Sequence, residues 1–327
     1  MIRIALDAMG GDGAPDVPIA AAVAALDQSD ASLEVLLVGD ADVIGPRLPV
    51  PMPERLRILA ASESIGVDES PALAVRRKPD SSIVVGLQAL KDGSADAFLS
   101  AGSTGAVMAG SLLILGQLPG VDRPAVGALV PTAVGKVLVL DAGANVATRP
   151  QNLHQFARLG TVYLRDMLGI ERPRVGLLNV GEEAEKGDDL AVAAFGLLSS
   201  DTTLNFVGNV EGHRIIDGVC DVLVCDGFVG NVLLKFYESM AGFVTGLLSE
   251  SFPGARSELE GIFRFLDYTG VGGAPLLGVA GVTILCHGAS PPRAIRNAIK
   301  IAVDAVRAGT IDALASELER MPTGEPA

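Results

Sequence analysis

The chain has 327 residues, 49% of them apolar and 20% charged, with no Trp and a formal net charge of −14. That length suffices for one large domain or two lobes around a substantial core, and the acidic balance excludes a nucleic-acid binder, because a phosphate backbone requires a basic face. No secretory pattern opens the sequence and no apolar stretch reaches the ~18 residues of a spanning helix, so a cytoplasmic protein is expected.

Apolar β-branched runs alternate with helical periodicity along the chain. Ile2–Leu6 predicts a strand, and Asp16–Ala25 a helix opened by proline and an acid. Leu33–Val38 and Arg55–Ala60 predict strands joined through Gly45–Glu54, an exposed connection with four prolines. Ser81 and Ser82 cap a helix to Leu90, Ala95–Leu99 is a strand and Ala106–Leu115 a helix. Ala125–Val130 and Lys136–Leu140 read as neighbouring strands, a hairpin. The helix Asn152–Leu168 precedes a strand, Arg174–Asn179, and a helix, Asp188–Leu198. Leu204–Val207 and Val219–Cys225 are strands, Val232 starts a long helix, and Val282–Cys286 is the last strand. Pro292–Arg307 and Ile311–Glu319 are helices, and the Pro/Gly-rich tail from Met321 to Ala327 is expected to fray. This alternation implies a three-layer αβα sandwich with a mainly parallel sheet and right-handed crossovers. Residues 1–327 read as one domain of two lobes around a cleft, softly divided near Gly120–Arg123.

Residues 236–277 break the pattern, because Phe236, Phe243, Phe252, Phe263 and Phe265 are half of the chain's ten phenylalanines. Phe236, Met240, Phe243, Val244, Leu247 and Leu248 share one helical face, and a second apolar run follows Pro253-Gly254. A helical hairpin with an apolar tip is expected, serving either as a dimer interface or as a surface for lipid or an acyl chain.

Strand-like runs stop repeatedly at short glycine-rich polar turns: 7–13, 100–106, 141–145, 181–187, 208–212 and 226–231. In an open parallel sheet such turns gather at the carboxyl ends of the strands, where ligands bind, and glycine lets backbone N–H groups approach a ligand. The pattern predicts a large anion-handling crevice. The usual nucleotide and hydrolase signatures are missing: no Gly-x-Gly-x-x-Gly after the first strand, no Walker A loop at Gly135-Lys136, and no Gly-x-Ser-x-Gly elbow. Cys220, Cys225 and Cys286 show no regular spacing and read as reduced core thiols, and no metal-ligand spacing of Cys and His is present.

Ser103 and Thr104 sit where a strand enters a helix, suited to gripping a phosphate, although capping alone would also account for them. Glu182, Glu183, Glu185 and Lys186 form a charge run that is either a solvated face or part of a site. Asn145, Asn209 and Asn231 each follow or sit inside a glycine turn and could aim amide donors at a ligand. Asp226 and Lys235 flank the last turn, and His287 ends the final strand as either a structural group or an acid–base residue.

At these turns the chain resembles the bacterial acyl-[acyl-carrier-protein]:phosphate acyltransferase family of phospholipid synthesis. The resemblance rests on Asp7-Ala-Met-Gly-Gly-Asp12, Ala74-Val-Arg-Arg-Lys78 with Asp80-Ser-Ser-Ile83, and the 100–106 turn. It continues through Gly208–Gly212, Asp226–Asn231, Gly272–Gly278 and His287-Gly288, so that it runs in order through nearly the whole chain. Ser103 stands where the family usually has Asn, and Ala142 where it usually has Val. The resemblance implies a fold like phosphotransacetylases and the isocitrate-dehydrogenase group, a homodimer, and peripheral membrane contact through residues 236–270. It also implies transfer of a fatty acyl group from the carrier thioester to inorganic phosphate, giving acyl phosphate.

Phosphate is already a nucleophile, so the chemistry needs positioning and oxyanion stabilisation rather than an activated serine, and neither cofactor nor metal is expected. The expected catalytic residues are Lys186, Asn209, Asn231 and His287. Those expected to bind or orient substrate are Asp7, Gly10, Gly11, Asp12, Ser103, Thr104, Gly105, Asn145, Glu182, Asp226, Gly227 and Gly230, the loops converging on one pocket. The family's carrier protein is acidic, and Arg76, Arg77 and Lys78, or Arg293, Arg296 and Lys300, are the candidate docks, a solvated face being the plain alternative. A coenzyme A-dependent phosphotransacetylase, an isocitrate-type dehydrogenase and a non-catalytic binding module are the competing readings.

Overall fold

The computed structural model describes residues 1–251 and 272–319. Chain contacts divide these into two units: residues 1–124 with 272–319, and residues 125–251.

In the first unit the strands are Ile2–Asp7 (β1), Leu33–Gly39 (β2), Leu56–Ala60 (β3), Ala97–Ser100 (β4), Ala274–Leu277 (β11) and Val282–Leu285 (β12). They lie in the order β3-β2-β1-β4-β12-β11, parallel except for β11, which runs antiparallel to β12. β2, Leu-Glu-Val-Leu-Leu-Val-Gly, is buried along almost its whole length, as a parallel strand covered on both faces should be. Phe98 of β4 packs on Gly86 of helix α4 (Ser82–Lys91). Its neighbour Leu99 is in register with Ile284, which faces Ala298 of helix α9 (Pro292–Ala308). Adjacent strand residues point to opposite faces, so α4 and α9 cover opposite sides of the sheet. α9 starts with Pro292 and ends at Gly309 in the left-handed region, a proline-in, glycine-out helix that also packs on α1 (Asp16–Gln28).

The second unit holds Ala125–Val126 (β5), Ala128–Thr132 (β6), Gly135–Leu140 (β7), Arg174–Asn179 (β8), Asn205–Glu211 (β9) and Val222–Val224 (β10). Its sheet runs β6-β7-β10-β8-β9; the β6–β7 pair is antiparallel and the other pairs are parallel. Leu140 and Val222 face Gly160 of α6 (Pro150–Leu168). Val139 and Leu223 point the other way, into a core with Val130, Val137, Ile215 and Cys225. Leu233, Leu234 and Tyr237 of α8 (Gly227–Ser251) close that core, so this unit is layered helix, sheet, helix.

The fold is α/β with mainly parallel sheets, as the alternation implies. Several local expectations need correction. β9 extends to Glu211, so Gly208–Glu211 is strand rather than turn. A register shift against Val175/Gly176 and a left-handed Gly208 absorb the extra residue, as a bulge does. α8 starts at Gly227 rather than Val232, because Asp226 Oδ1 accepts the N–H groups of Phe228 at 2.9 Å and Val229 at 3.0 Å and nucleates the helix earlier. The helix expected over Ala106–Leu115 starts earlier, runs as an α-helix over Thr104–Gly110 (α5) and finishes in a π turn. β11 and a short helix, Pro71–Arg77 (α3), are additional elements. Of the expected 236–277 hairpin, the stretch with Phe252, Phe263 and Phe265 lies outside the described residues, as does the 321–327 tail. Among the described residues no helix is long and apolar enough to cross a membrane.

Candidate active site

In the first unit, β1, β4 and β12 are parallel neighbours, so their carboxyl-terminal turns emerge side by side. Asp7 is buried at the end of β1; its Oδ1 accepts the Met9 N–H at 3.0 Å and its Oδ2 accepts the Ser100 hydroxyl at 2.6 Å. The Ser100 Oγ in turn accepts the Gly102 N–H at 2.9 Å. Burial raises the Asp7 pKa, while hydrogen bonds from Ser100, Ser82, Met9 and Gly10 pull it back. Gly10 packs so closely on the Asp7 carboxylate and the Gly102 amide that a Cβ would lie 2.5 and 2.6 Å from them. The third turn joins through the Asp12 N–H, which donates to the Gly288 carbonyl at 2.8 Å, and Gly11 adopts a left-handed φ beside it. Asp7, Gly10, Gly11 and Asp12 thus act as scaffold for three strand ends.

Ser103 is the N-cap of α5, its Oγ accepting the Ala106 N–H at 3.4 Å, while Thr104 is exposed at the first helical position. Gly105 lets Pro71 of α3 approach, as a Cβ there would sit 2.7 Å from its Cγ. His287 is exposed, and its Nδ1 accepts the Ala289 N–H at 3.1 Å. An accepting Nδ1 places the proton of the neutral ring on Nε2, which is then a donor.

In the second unit the turns after β7, β8 and β10 share one sheet edge. The centre of this edge is Asp141, a fully buried carboxylate. Its Oδ1 accepts N–H groups from Val126, Gly143 and Ala144, and its Oδ2 those of Asn145. Burial raises its pKa, with these bonds opposing. The Asn145 carbonyl accepts the Gly227 N–H at 2.8 Å, and Gly230 presses on the Asp141 carbonyl so tightly that a Cβ would overlap it. The Asn231 side chain reaches the Gly143 backbone from an exposed position, so Asn145, Gly227, Gly230 and Asn231 come together. Sequence reasoning named Asn145 and passed over Asp141, although an aspartate opening a strand-end glycine turn, as at Asp7, was a usable signal.

Asn209 is directed elsewhere. Its Nδ2 donates to the Glu183 carbonyl at 2.7 Å, tying β9 to the 181–187 turn, and its buried Oδ1 meets no donor. Lys186 is exposed on that turn, and its carbonyl accepts the Asn179 Nδ2 at 2.9 Å. Glu182 forms an exposed ion pair with Arg214 at 3.1 Å. Beside this turn opens a cavity of about 510 Å³ whose polar lining is Asn179, Asp188 and Asp226, with Leu153, Leu177 and Val229 among its apolar walls.

The candidate docks differ. Arg76 and Arg77 are exposed in the last turn of α3, while the Lys78 Nζ donates to the Ser64 carbonyl at 2.8 Å and pairs with Glu69 at 2.7 Å. Arg293 is exposed, and Arg296 donates to Asn297 at 3.2 Å within a cavity of about 530 Å³ that also touches Lys300 and Arg307. Lys300 and Arg307 are paired with Asp304 and Asp30.

Residues 2–313 match the family described as fatty acid synthesis protein. The phosphate acyltransferase of Heliobacterium modesticaldum is 48% identical over 326 residues, covering 96% of each chain. That of Halothermothrix orenii is 46% identical over 332 residues, covering 98% of this chain and 99% of its own. A branched-chain phosphotransacylase from Enterococcus faecalis has the same fold, with a TM-score of 0.59 at 15% identity over 94% of this chain and 100% of that one. With a family match over nearly its whole length and relatives close to half identical, this chain belongs to the phosphate acyltransferase family and is an acyltransferase.

Proposed function

We propose that this acyltransferase moves a fatty acyl group from an acyl-carrier-protein thioester to inorganic phosphate. A phosphate oxygen attacks the thioester carbonyl carbon, the new C–O bond forms, the C–S bond breaks, and the carrier thiolate leaves with the electron pair and is protonated. Family membership and the glycine turns support this reading. The observation that carries it is the Asp141-centred edge: a buried carboxylate fixes the strand-end turn by accepting the Asn145 N–H and side-chain amide, and the Asn231 side chain lies against Gly143 of that turn from an exposed position, where its amide can face a ligand. Donors held rigidly against a developing oxyanion are each worth about 3–4 kcal/mol. None of the three thiols suits a competing nucleophilic role, because all are buried and burial pushes the Cys220 and Cys286 pKa values up to about 12.

In the second unit, Asn231 and Asn145 serve as oxyanion or phosphate donors, Lys186 as counter-charge, and Asp226 and Glu182 as orienting acids. Asn209 acts by holding the 181–187 turn. In the first unit, Ser103, Thr104 and Gly105 bind an anion at the start of α5, and His287 donates from Nε2. The acidic carrier docks on Arg76 and Arg77 or on Arg293 and Arg296. A homodimer and a peripheral membrane contact belong to the same reading, supported by the exposed Phe243 and Leu247 of α8.

The deciding experiment incubates the protein with palmitoyl carrier protein and radioactive phosphate. Hydroxylamine-sensitive labelled acyl phosphate is expected. Label appearing only with acetyl-coenzyme A would favour the phosphotransacetylase reading, and none with either thioester would sink both.

A further inference from the structure

The 181–187 turn, Gly-Glu-Glu-Ala-Glu-Lys-Gly, joins β8 to α7 (Asp189–Ser200). A glycine-ended turn of this kind leaves a long lysine side chain many conformations, yet here neighbouring strands hold it. Asn209 of β9 donates to the Glu183 carbonyl at 2.7 Å, and the Lys186 N–H donates to that same carbonyl at 3.1 Å. Asn179, the last residue of β8, donates from Nδ2 to the Lys186 carbonyl at 2.9 Å and accepts the Val180 N–H on Oδ1 at 2.8 Å. Gly187 follows with a left-handed φ, packed so closely on the Asn179 amide that a Cβ would lie 2.5 Å from its Oδ1. The Lys186 stem lies over the buried Gly181, where a Cβ would meet its Cγ at 2.8 Å and its Cδ at 3.2 Å. Glu182, Glu183 and Glu185 share this turn, but Glu182 is paired with Arg214, and no carboxylate among the described residues comes within ion-pair distance of the Lys186 Nζ.

We propose that Asn179 and Gly181 are positioning residues for Lys186. Asn179 fixes the lysine backbone, Gly181 leaves room for its stem, and together they keep the ammonium free of the adjacent glutamates and available to phosphate. This rests on the acyl-transfer reading above, with Lys186 as its counter-charge. Asn179 acts through the lysine, because both ends of its amide are engaged by the turn. A lysine is a point charge on a flexible stem, so its value to an anion depends on where the ammonium is held before the anion arrives.

Asn179→Ala and Gly181→Ala are each made in the wild-type and in the Lys186→Ala background. Acyl-phosphate formation from palmitoyl carrier protein is measured at varied phosphate, with enzyme concentration raised for the slow variants, and urea denaturation is followed in parallel. With Lys186 present, each substitution should lower kcat/KM for phosphate by about tenfold or more, and with Lys186 absent by less than about twofold, because coupled residues do not add. Equal fold-losses in the two backgrounds overturn the proposal, since a purely structural role, or direct contact with substrate, does not depend on the lysine. No loss in either background overturns it too. If Asn179→Ala fails to fold, Gly181→Ala carries the test, as it sets one methyl against the Lys186 stem and leaves both asparagine bonds in place. Near-normal turnover of Lys186→Ala alone removes the lysine and this proposal while acyl transfer stands. Wild-type protein that makes no acyl phosphate removes the functional reading itself.

Discussion

Asp141 and Asn145 are joined twice: Asp141 Oδ2 accepts both the Asn145 backbone N–H at 2.6 Å and its side-chain Nδ2 at 2.9 Å. With Oδ1 accepting three further N–H groups, the carboxylate converts a flexible glycine turn into a fixed one. Asp141→Asn turns an N–H of its own toward these donors and leaves some of them unsatisfied. The expected cost is about 3 kcal/mol of unfolding free energy, since a hydrogen bond to a charged group contributes ~1.5–3 kcal/mol. Urea denaturation reads this directly, and a midpoint equal to wild type would deny Asp141 its organising role.

Gly230 lies one helical turn into α8 with no room for a side chain against the Asp141 carbonyl. Ala at 230 must push α8 away from the β7 turn. Overpacking of this sort costs about 1–3 kcal/mol, and the displacement should lower kcat more than it raises KM for the thioester. Gly242 offers the control, because a Cβ there meets nothing within 4 Å. Equal behaviour of Gly230→Ala and Gly242→Ala would contradict the close approach.

Lys186 is the exposed cation of the 181–187 turn, and Asn209 positions that turn through Glu183. Lys186→Ala should reduce acyl-phosphate formation at least a hundredfold, about 2.7 kcal/mol of barrier. Asn209→Ala should give a smaller loss that appears mainly in the KM for phosphate. Near-normal turnover in the lysine variant removes it from the site.

Arg76 and Arg77 project from α3 while Lys78 is engaged by Glu69. Reversal of both arginines to Glu should therefore raise the KM for acyl-carrier protein tenfold or more and weaken its salt dependence. A short acyl thioester lacking the carrier protein should be unaffected. Parallel losses on both substrates would place these side chains outside the dock.

Asp201 lies where α7 (Asp189–Ser200) ends, and it accepts His154 Nε2 and Arg158 Nε, each at 2.7 Å, on one oxygen. Burial acts to raise its pKa, but hydrogen bonds from Arg158, Thr203 and His154 outweigh it, and the carboxyl is held well below its usual value of 3.8. A depressed folded-state pKa means that the stabilisation is complete above about pH 3.8 and is lost as pH falls through the lower folded-state value. Asp201→Asn should thus lower stability at neutral pH and flatten its decline below pH ~4, visible as urea midpoints measured across the acid range. A variant with the same acid limb as wild type would show that this network contributes nothing there.

The alternation of β-branched runs with amphipathic segments, the strand-end glycines and the family were legible in the sequence, because each is written in residues a few positions apart. Pro292 before an amphipathic run and Gly309 after it were enough to bound α9. The early start of α8 and the continuation of β9 through Gly208 were missed, because both depend on a side chain or a neighbouring strand supplying the missing hydrogen bonds. The assignment of roles was legible only in outline. Asn145, Asn209 and Asn231 look alike as residues beside glycines, yet one is held by a buried aspartate, one tethers a turn 26 residues away, and one stays exposed. What a side chain donates to and what covers it are set by elements distant along the chain. Tertiary packing alone decided those features, because burial and hydrogen-bond partnership depend on neighbours in space rather than neighbours in sequence.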